Sequence, residues 1–239
     1  MIKREIIAKS DFIISFGSML ADDKKDIRNS IIESIAKTNA KFTYMHPIDN
    51  IDLKLYYTQF IKYEVGSEEG ICALLMDTFI KECDEKTRKF INDLDLGYIS
   101  AESSAGEEEF EEAYSNYLKA KNKLLIIGDD LIEHEKIENI IKLLALIKKY
   151  TNFELIVLNE DLGNKINLCT NFDLEEIEEL KSFNGTLVYK LIDEQQNDEL
   201  IASKTFANIA KVANGDEIYI NSKDEKIKRT LKVDETLNG

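Results

Sequence analysis

The sequence predicts an α/β protein: a doubly wound, mainly parallel Rossmann-like sheet followed by a small C-terminal antiparallel β hairpin. Three observations lead there. Short apolar, β-branched runs at Phe12–Phe16 and Lys123–Ile127 are each followed at once by a glycine, as where a buried strand turns into a loop. Stretches of helical apolar spacing alternate with such runs, which favours parallel strands with helices on both faces. Past Glu194 the texture changes to two runs that alternate apolar and polar residues around a charged turn.

Taken in order, Phe12–Phe16 is a strand closed by Gly17, and Lys25–Thr38 is a helix with Ile27, Ile31, Ile32 and Ile35 on one face. Phe42–Met45 is the next strand. It ends at His46-Pro47, where proline has no amide to donate and disfavours helix in the residue before it. Tyr56–Val65 alternates loosely as a third strand. From Ser67 a helix is expected, with Ser67 as N-cap, Glu68 and Glu69 in the first turn, and Ile71, Cys72, Leu75, Met76, Phe79, Ile80 and Cys83 on a broad apolar face. Residues 84–95 form a short helix, Gly97–Gly106 the longest loop, and Glu107 opens a helix ending near Lys121.

Lys123–Ile127 is the most clearly buried strand, with Gly128-Asp129-Asp130 as its turn, a helix from about Glu133 to Tyr150, and a strand at Phe153–Leu158. A helix at Asp173–Lys181 and a strand at Thr186–Ile192 extend this unit. Right-handed crossovers then place the strands at Phe12 and Leu124 side by side in the middle. Glu217–Ser222 and Lys226–Val233 pair around Lys223-Asp224-Glu225. The division is residues 1–195 and 196–239, the second an incomplete β domain because two strands alone are marginal.

Composition excludes several classes. The 239 residues carry 31 basic and 46 acidic side chains, a formal charge of -15, with pI near 4.7 and mean hydropathy -0.29. Such a field repels phosphate backbones and anionic headgroups, so neither nucleic acid nor a membrane surface is the expected partner. No apolar run reaches the roughly 20 residues of a membrane span, and the first residues lack a signal-peptide core, so a cytoplasmic location is expected. Three cysteines, Cys72, Cys83 and Cys169, are too few for a disulfide framework or a four-thiolate metal site.

A doubly wound sheet offers a ligand the crevice at the carboxyl ends of its two central strands. The loops there are Gly17-Ser18 leading to Asp22-Asp23, and Gly128-Asp129-Asp130. Each has one early glycine and paired aspartates where a pyrophosphate needs amides and positive charge. His134 and Glu138, four apart, are the one local metal-ligand pair and read as a solvated helix face. The acidic runs Glu107–Glu112 and Glu175–Glu179 read as helix N-terminal charge and surface. No nucleophilic triad assembles around Cys169.

Five segments match a known family in order: Ile14-Ser-Phe-Gly-Ser-Met-Leu-Ala-Asp-Asp23, Met45-His-Pro-Ile48, Tyr63-Glu-Val-Gly-Ser-Glu-Glu-Gly70, Tyr98-Ile-Ser-Ala-Glu-Ser-Ser-Ala-Gly-Glu-Glu-Glu109 and Ile127-Gly-Asp-Asp-Leu131. They resemble the molybdopterin-oxidoreductase-like region of the large iron-sulfur subunit, designated G, of the proton-pumping NADH-quinone oxidoreductase, respiratory complex I. The likeness spans most of residues 5–160, and residues 200–239, with Phe206-Ala-Asn-Ile209 leading to Gly215-Asp-Glu-Ile-Tyr-Ile220, resemble the start of the β-barrel domain that closes such subunits. The resemblance implies a fragment of a longer subunit, a scaffold without catalytic or metal-binding residues of its own, carrying at most vestigial switch-point loops at Gly17, Ser18, Gly128 and Asp129. It implies a parent with iron-sulfur clusters that moves electrons from NADH or another donor to quinone. The partners it implies are other subunits of the peripheral arm, on the cytoplasmic face of the inner membrane. A functional molybdopterin oxidoreductase binding half of a pterin dinucleotide in these loops is the enzymatic alternative. An acidic module recruiting a basic protein is a third.

Overall fold

The computed structural model describes residues 2–181, 185–191, 198–221 and 225–237. It divides into two compact units, Met1–Val188 and Tyr189–Gly239. The boundary expected at residue 195 lies outside the described residues.

Five parallel strands form the first unit's sheet: β1 (Phe12–Phe16), β2 (Lys41–Met45), β3 (Gln59–Ile61), β4 (Lys123–Ile127) and β5 (Phe153–Val157). Their order is β3-β2-β1-β4-β5, so β1 and β4 are central neighbours, with Phe12 opposite Lys123 and Phe16 opposite Ile127. This is the doubly wound arrangement read from the sequence. Both faces are covered, as a parallel sheet requires. Ile13, Phe42, Tyr44, Leu124 and Ile126 pack with Ile7 of α1 (Ile2–Lys9) and Ile31 of α2 (Lys25–Thr38). The alternate residues Phe12, Ile14, Phe16, Leu125 and Ile127 pack into the larger core on the other face. That core is completed by α3 (Glu68–Phe79), α4 (Glu85–Asp93), α5 (Leu96–Ser103), α6 (Glu107–Lys119), α7 (Ile137–Tyr150) and α8 (Glu160–Leu168).

Several elements differ from expectation, each for a local reason. The expected strand at Tyr56–Val65 shortens to β3, because Ile51–Tyr56 forms turns. Gly97–Gly106 is largely α5, not a loop. Asp95 caps it by accepting from Tyr98 N–H at 3.0 Å, and Ser103 Oγ bonds back to Ile99 O at 2.6 Å. Ser67 does not cap α3; its hydroxyl donates to Glu64 O at 2.7 Å. Helix α3 stops at Phe79, which leaves Cys83 in the connector, where Arg88 Nη2 reaches Lys81 O at 2.7 Å. Residues 129–136 are turns, so α7 begins at Ile137 and not at Glu133.

The largest departure is at Asp173–Lys181, which is neither helix nor strand. Residues 171–181 form a strap whose Leu174, Ile177 and buried Leu180 pack against the larger core. Apolar residues three apart share a side of an α-helix, but here Asn139 and Tyr98 take backbone groups of the segment from outside it. Glu175–Glu179 therefore opens no helix. Thr186–Leu191 is irregular where a strand was expected, and Ile192 lies outside the described residues.

In the second unit β7 (Glu217–Asn221) and β8 (Lys226–Val233) form the expected antiparallel pair, with Ile220 opposite Ile227. The turn expected at Lys223-Asp224 lies outside the described residues. A third strand, β6 (Glu199–Ala202), runs parallel to β8 on its other side, and Ser203 caps α9 (Lys204–Ala210) by accepting from Phe206 N–H at 2.9 Å. Ala202, Ala207 and Leu231 are the buried apolar centre of this unit.

Candidate functional site

The crevice at the carboxyl ends of β1 and β4 is where the fold would seat a ligand. Gly17 follows β1 with φ +71°, a conformation natural to glycine. Gly128 follows β4, and a Cβ built on it would lie 1.8 Å from the Gly17 carbonyl oxygen. The two glycines thus let the two loops touch. Asp130 N–H donates to Gly17 O at 3.1 Å, and the fully buried Leu131 side chain lies 2.9 Å from where a Gly17 Cβ would be. Any side chain at position 17 would therefore run into the buried Leu131.

The aspartates are engaged within the chain. Lys24 Nζ bridges Asp23 at 2.8 Å and Asp129 at 2.9 Å, joining the β1 loop to the β4 loop. Burial works most strongly to lower its pKa, but the hydrogen bonds and charges of those two carboxylates outweigh it and raise the value. Arg28 of α2 spans Asp22 at 2.8 Å and Asp52 at 2.7 Å while donating to Leu20 O. Ser18 accepts from Leu20 N–H at 3.3 Å, and Asn50 donates to Met19 O.

Behind this rim lies a buried polar cluster that spacing did not reveal. His46 is stacked on Tyr44, with Nδ1 3.0 Å from Ile48 N and 2.9 Å from Ile48 O and Nε2 3.2 Å from Asp130 Oδ2. His134 is not on a solvated helix face. Its Nδ1 accepts from Lys136 N–H at 3.0 Å and its Nε2 faces Gly66 O at 3.1 Å and Glu68 Oε2 at 3.4 Å. Glu138 points elsewhere, to Lys165 at 3.2 Å.

Glu68 Oε2 is buried without a hydrogen-bond partner. Burial raises the Glu68 pKa, opposed by hydrogen bonds and by the charges of His134 and His46. Burial, reinforced by Glu68 and Asp130, pushes the Tyr63 hydroxyl well above its ordinary value. The Cys72 thiol is driven up the same way and is no nucleophile at neutral pH.

Both imidazoles lie against backbone groups and carboxylates of the chain itself. The loop set does not fit a pterin or nucleotide pyrophosphate, because its aspartates are acidic and its cations, Lys24 and Arg28, pair with them. An iron-sulfur cluster needs four thiolates, and this chain has three cysteines, Cys72 being buried in α3. Among the described residues no three His, Cys, Asp or Glu are grouped to hold a metal ion. A cleft of about 330 Å³ lies instead at the amino ends of the strands, lined by Lys9, Lys121, Asn122, Asn152 and neighbours.

Gly17, Ser18, Gly128 and Asp129 thus meet at one place, as the topology requires. Lys24, Arg28, Glu68 and Leu131 complete it, and only the long-range contacts identify them. Among the described residues no helix is long and apolar enough to cross a membrane. No protein-family model matches the chain, and no curated protein matches it in sequence.

Proposed function

We propose that this chain is a structural α/β module of the kind it resembles, the molybdopterin-oxidoreductase-like region of the large iron-sulfur subunit of the proton-pumping NADH-quinone oxidoreductase. In this reading it holds other subunits of the peripheral arm in place, on the cytoplasmic face of the inner membrane. Electrons pass through clusters carried elsewhere in the parent. The observation that carries the reading is the bridged switch point, where Lys24 ties Asp23 to Asp129. A module retained for shape keeps the Rossmann layers while its ligand crevice is taken over by internal packing.

The test is direct. Co-expressed with the peripheral-arm subunits, the chain should co-purify with them in fixed stoichiometry. Absorption spectroscopy and metal analysis of the purified chain should find no redox group at stoichiometric level. A stoichiometric pterin, nucleotide or iron-sulfur cluster, or failure to join any arm subunit, overturns the proposal.

A further inference from the structure

In the second unit the strand order is β6-β8-β7, so among the described residues β7 (Glu217–Asn221) has a neighbour on one side only. Leu231 N–H of β8 donates to Asp216 O at 2.9 Å, while Thr230 N–H points the other way, to Asp198 O at 2.9 Å. Main-chain groups alternate in direction along a strand. Ile218 and Ile220 therefore face β8, and the N–H and C=O of Glu217, Tyr219 and Asn221 face away from it. Among the described residues those outward groups have no hydrogen-bond partner.

Soluble proteins blunt an open edge with proline, a bulge or an inward-pointing charge. β7 has none of these: Glu-Ile-Tyr-Ile-Asn pairs one to one with Thr230 through Lys226. Ile218 packs against the unit's apolar centre, with half-buried Ile220 on the same side, and Tyr219, 59% exposed, lies on the other. The lysines sit one strand in, on β8. Lys228 holds Glu217 at 2.6 Å, and Lys226 Nζ lies 4.6 Å from the centre of the Tyr219 ring. Repulsion is also low here, since residues 189–239 carry ten acids and eight bases in a chain with 46 and 31.

We infer that β7 is a self-association edge, which pairs antiparallel with β7 of a second copy of this chain about a twofold axis at Tyr219. The strand is close to a chemical palindrome about that residue. In this register Tyr219 opposes itself, Glu217 opposes the uncharged Asn221, and Ile218 stands beside Ile220 on the apolar side. No like charges meet, and the apolar row continues across the junction. Every outward donor of one copy meets an outward acceptor of the other, as in strand-adding recognition. The palindrome and the low local charge select a second copy over an unrelated strand. The inference stands on the second unit alone and does not rest on the role proposed above.

Sedimentation equilibrium of the full chain is the test. One strand edge is a small interface, so the apparent mass should rise from the monomer's 27.4 kDa toward twice that value between about 5 and 500 µM. Tyr219→Glu sets the new carboxylate opposite Lys228 within a copy, but opposite its own counterpart across the twofold. It should weaken dimerisation about tenfold or more, as should Tyr219→Lys. An equimolar mixture of the two variants should recover a dimer at least as tight as the wild type. A wild type monomeric throughout the range, a Tyr219→Glu variant that dimerises undiminished, or a mixture no tighter than either variant alone overturns the inference.

Hydrogen exchange on the unaltered chain gives a readout free of any substitution. Over the same rise in concentration the Glu217, Tyr219 and Asn221 amides should slow about tenfold, while those of Ile218 and Ile220, already bonded to β8, change far less. Outward amides whose exchange does not slow with concentration overturn the inference.

Discussion

A methyl group at position 128 would sit 1.8 Å from Gly17 O, a backbone atom that cannot swing aside. Gly128→Ala is therefore expected to cost about 3 kcal/mol or more in urea unfolding, at the upper end of overpacking penalties. Gly97 in α5 is the control, since a Cβ there meets only Asp95 Oδ1 at 3.6 Å. Gly97→Ala should stabilise by up to about 1 kcal/mol through helix propensity. Glu68 makes a pH prediction. Its folded pKa is raised above 4.5, first by burial, so its contribution is fully favourable below the unfolded pKa and is lost as pH rises through the folded one. Glu68→Gln should match the wild type in acid and melt higher at neutral pH, in thermal scans across both. The spacing of Glu68 and His134, sixty-six residues apart, gives no hint of their contact.

Among the elements, those with long unambiguous periodicity were readable. α2 spans Lys25–Thr38 as the isoleucine spacing indicates, and β1 and β4 follow from their apolar runs. α5 was hidden because glycine and serines mask a segment whose cap and serine back-bonds are made only in the folded chain. The strap departs from its helical spacing because Asn139 and Tyr98 bind its backbone from outside the segment. Helix caps set a measurable cost at this scale. Asn159 accepts from Leu162 N–H at 2.9 Å at the start of α8, and Asn159→Ala should lose about 1 kcal/mol in denaturant titration.

At the scale of the whole molecule, the two large apolar clusters lie within residues 1–188, and the third, far smaller, within the second unit. A chain of residues 1–188 is therefore expected to unfold cooperatively on its own, with a midpoint within about 5 °C of that of the full protein. A broad, non-cooperative transition would show that the first unit's core is not self-sufficient. The charge of -15 adds self-repulsion across the surface, so raising salt from low to physiological strength should increase the melting temperature.

The sequence by itself determined the layered α/β architecture, the central β1–β4 pair and the meeting of the Gly17 and Gly128 loops. Those follow from local periodicity and from the handedness of crossovers, which act over a few residues or one βαβ unit. Tertiary structure alone decided what occupies that meeting place and which way the chain runs after α8. Lys24 and Arg28 tie the loops together, and Asn139 holds residue 175 of the strap. Each acts through contacts between residues distant along the chain, where burial and hydrogen-bond geometry, not spacing, set the outcome.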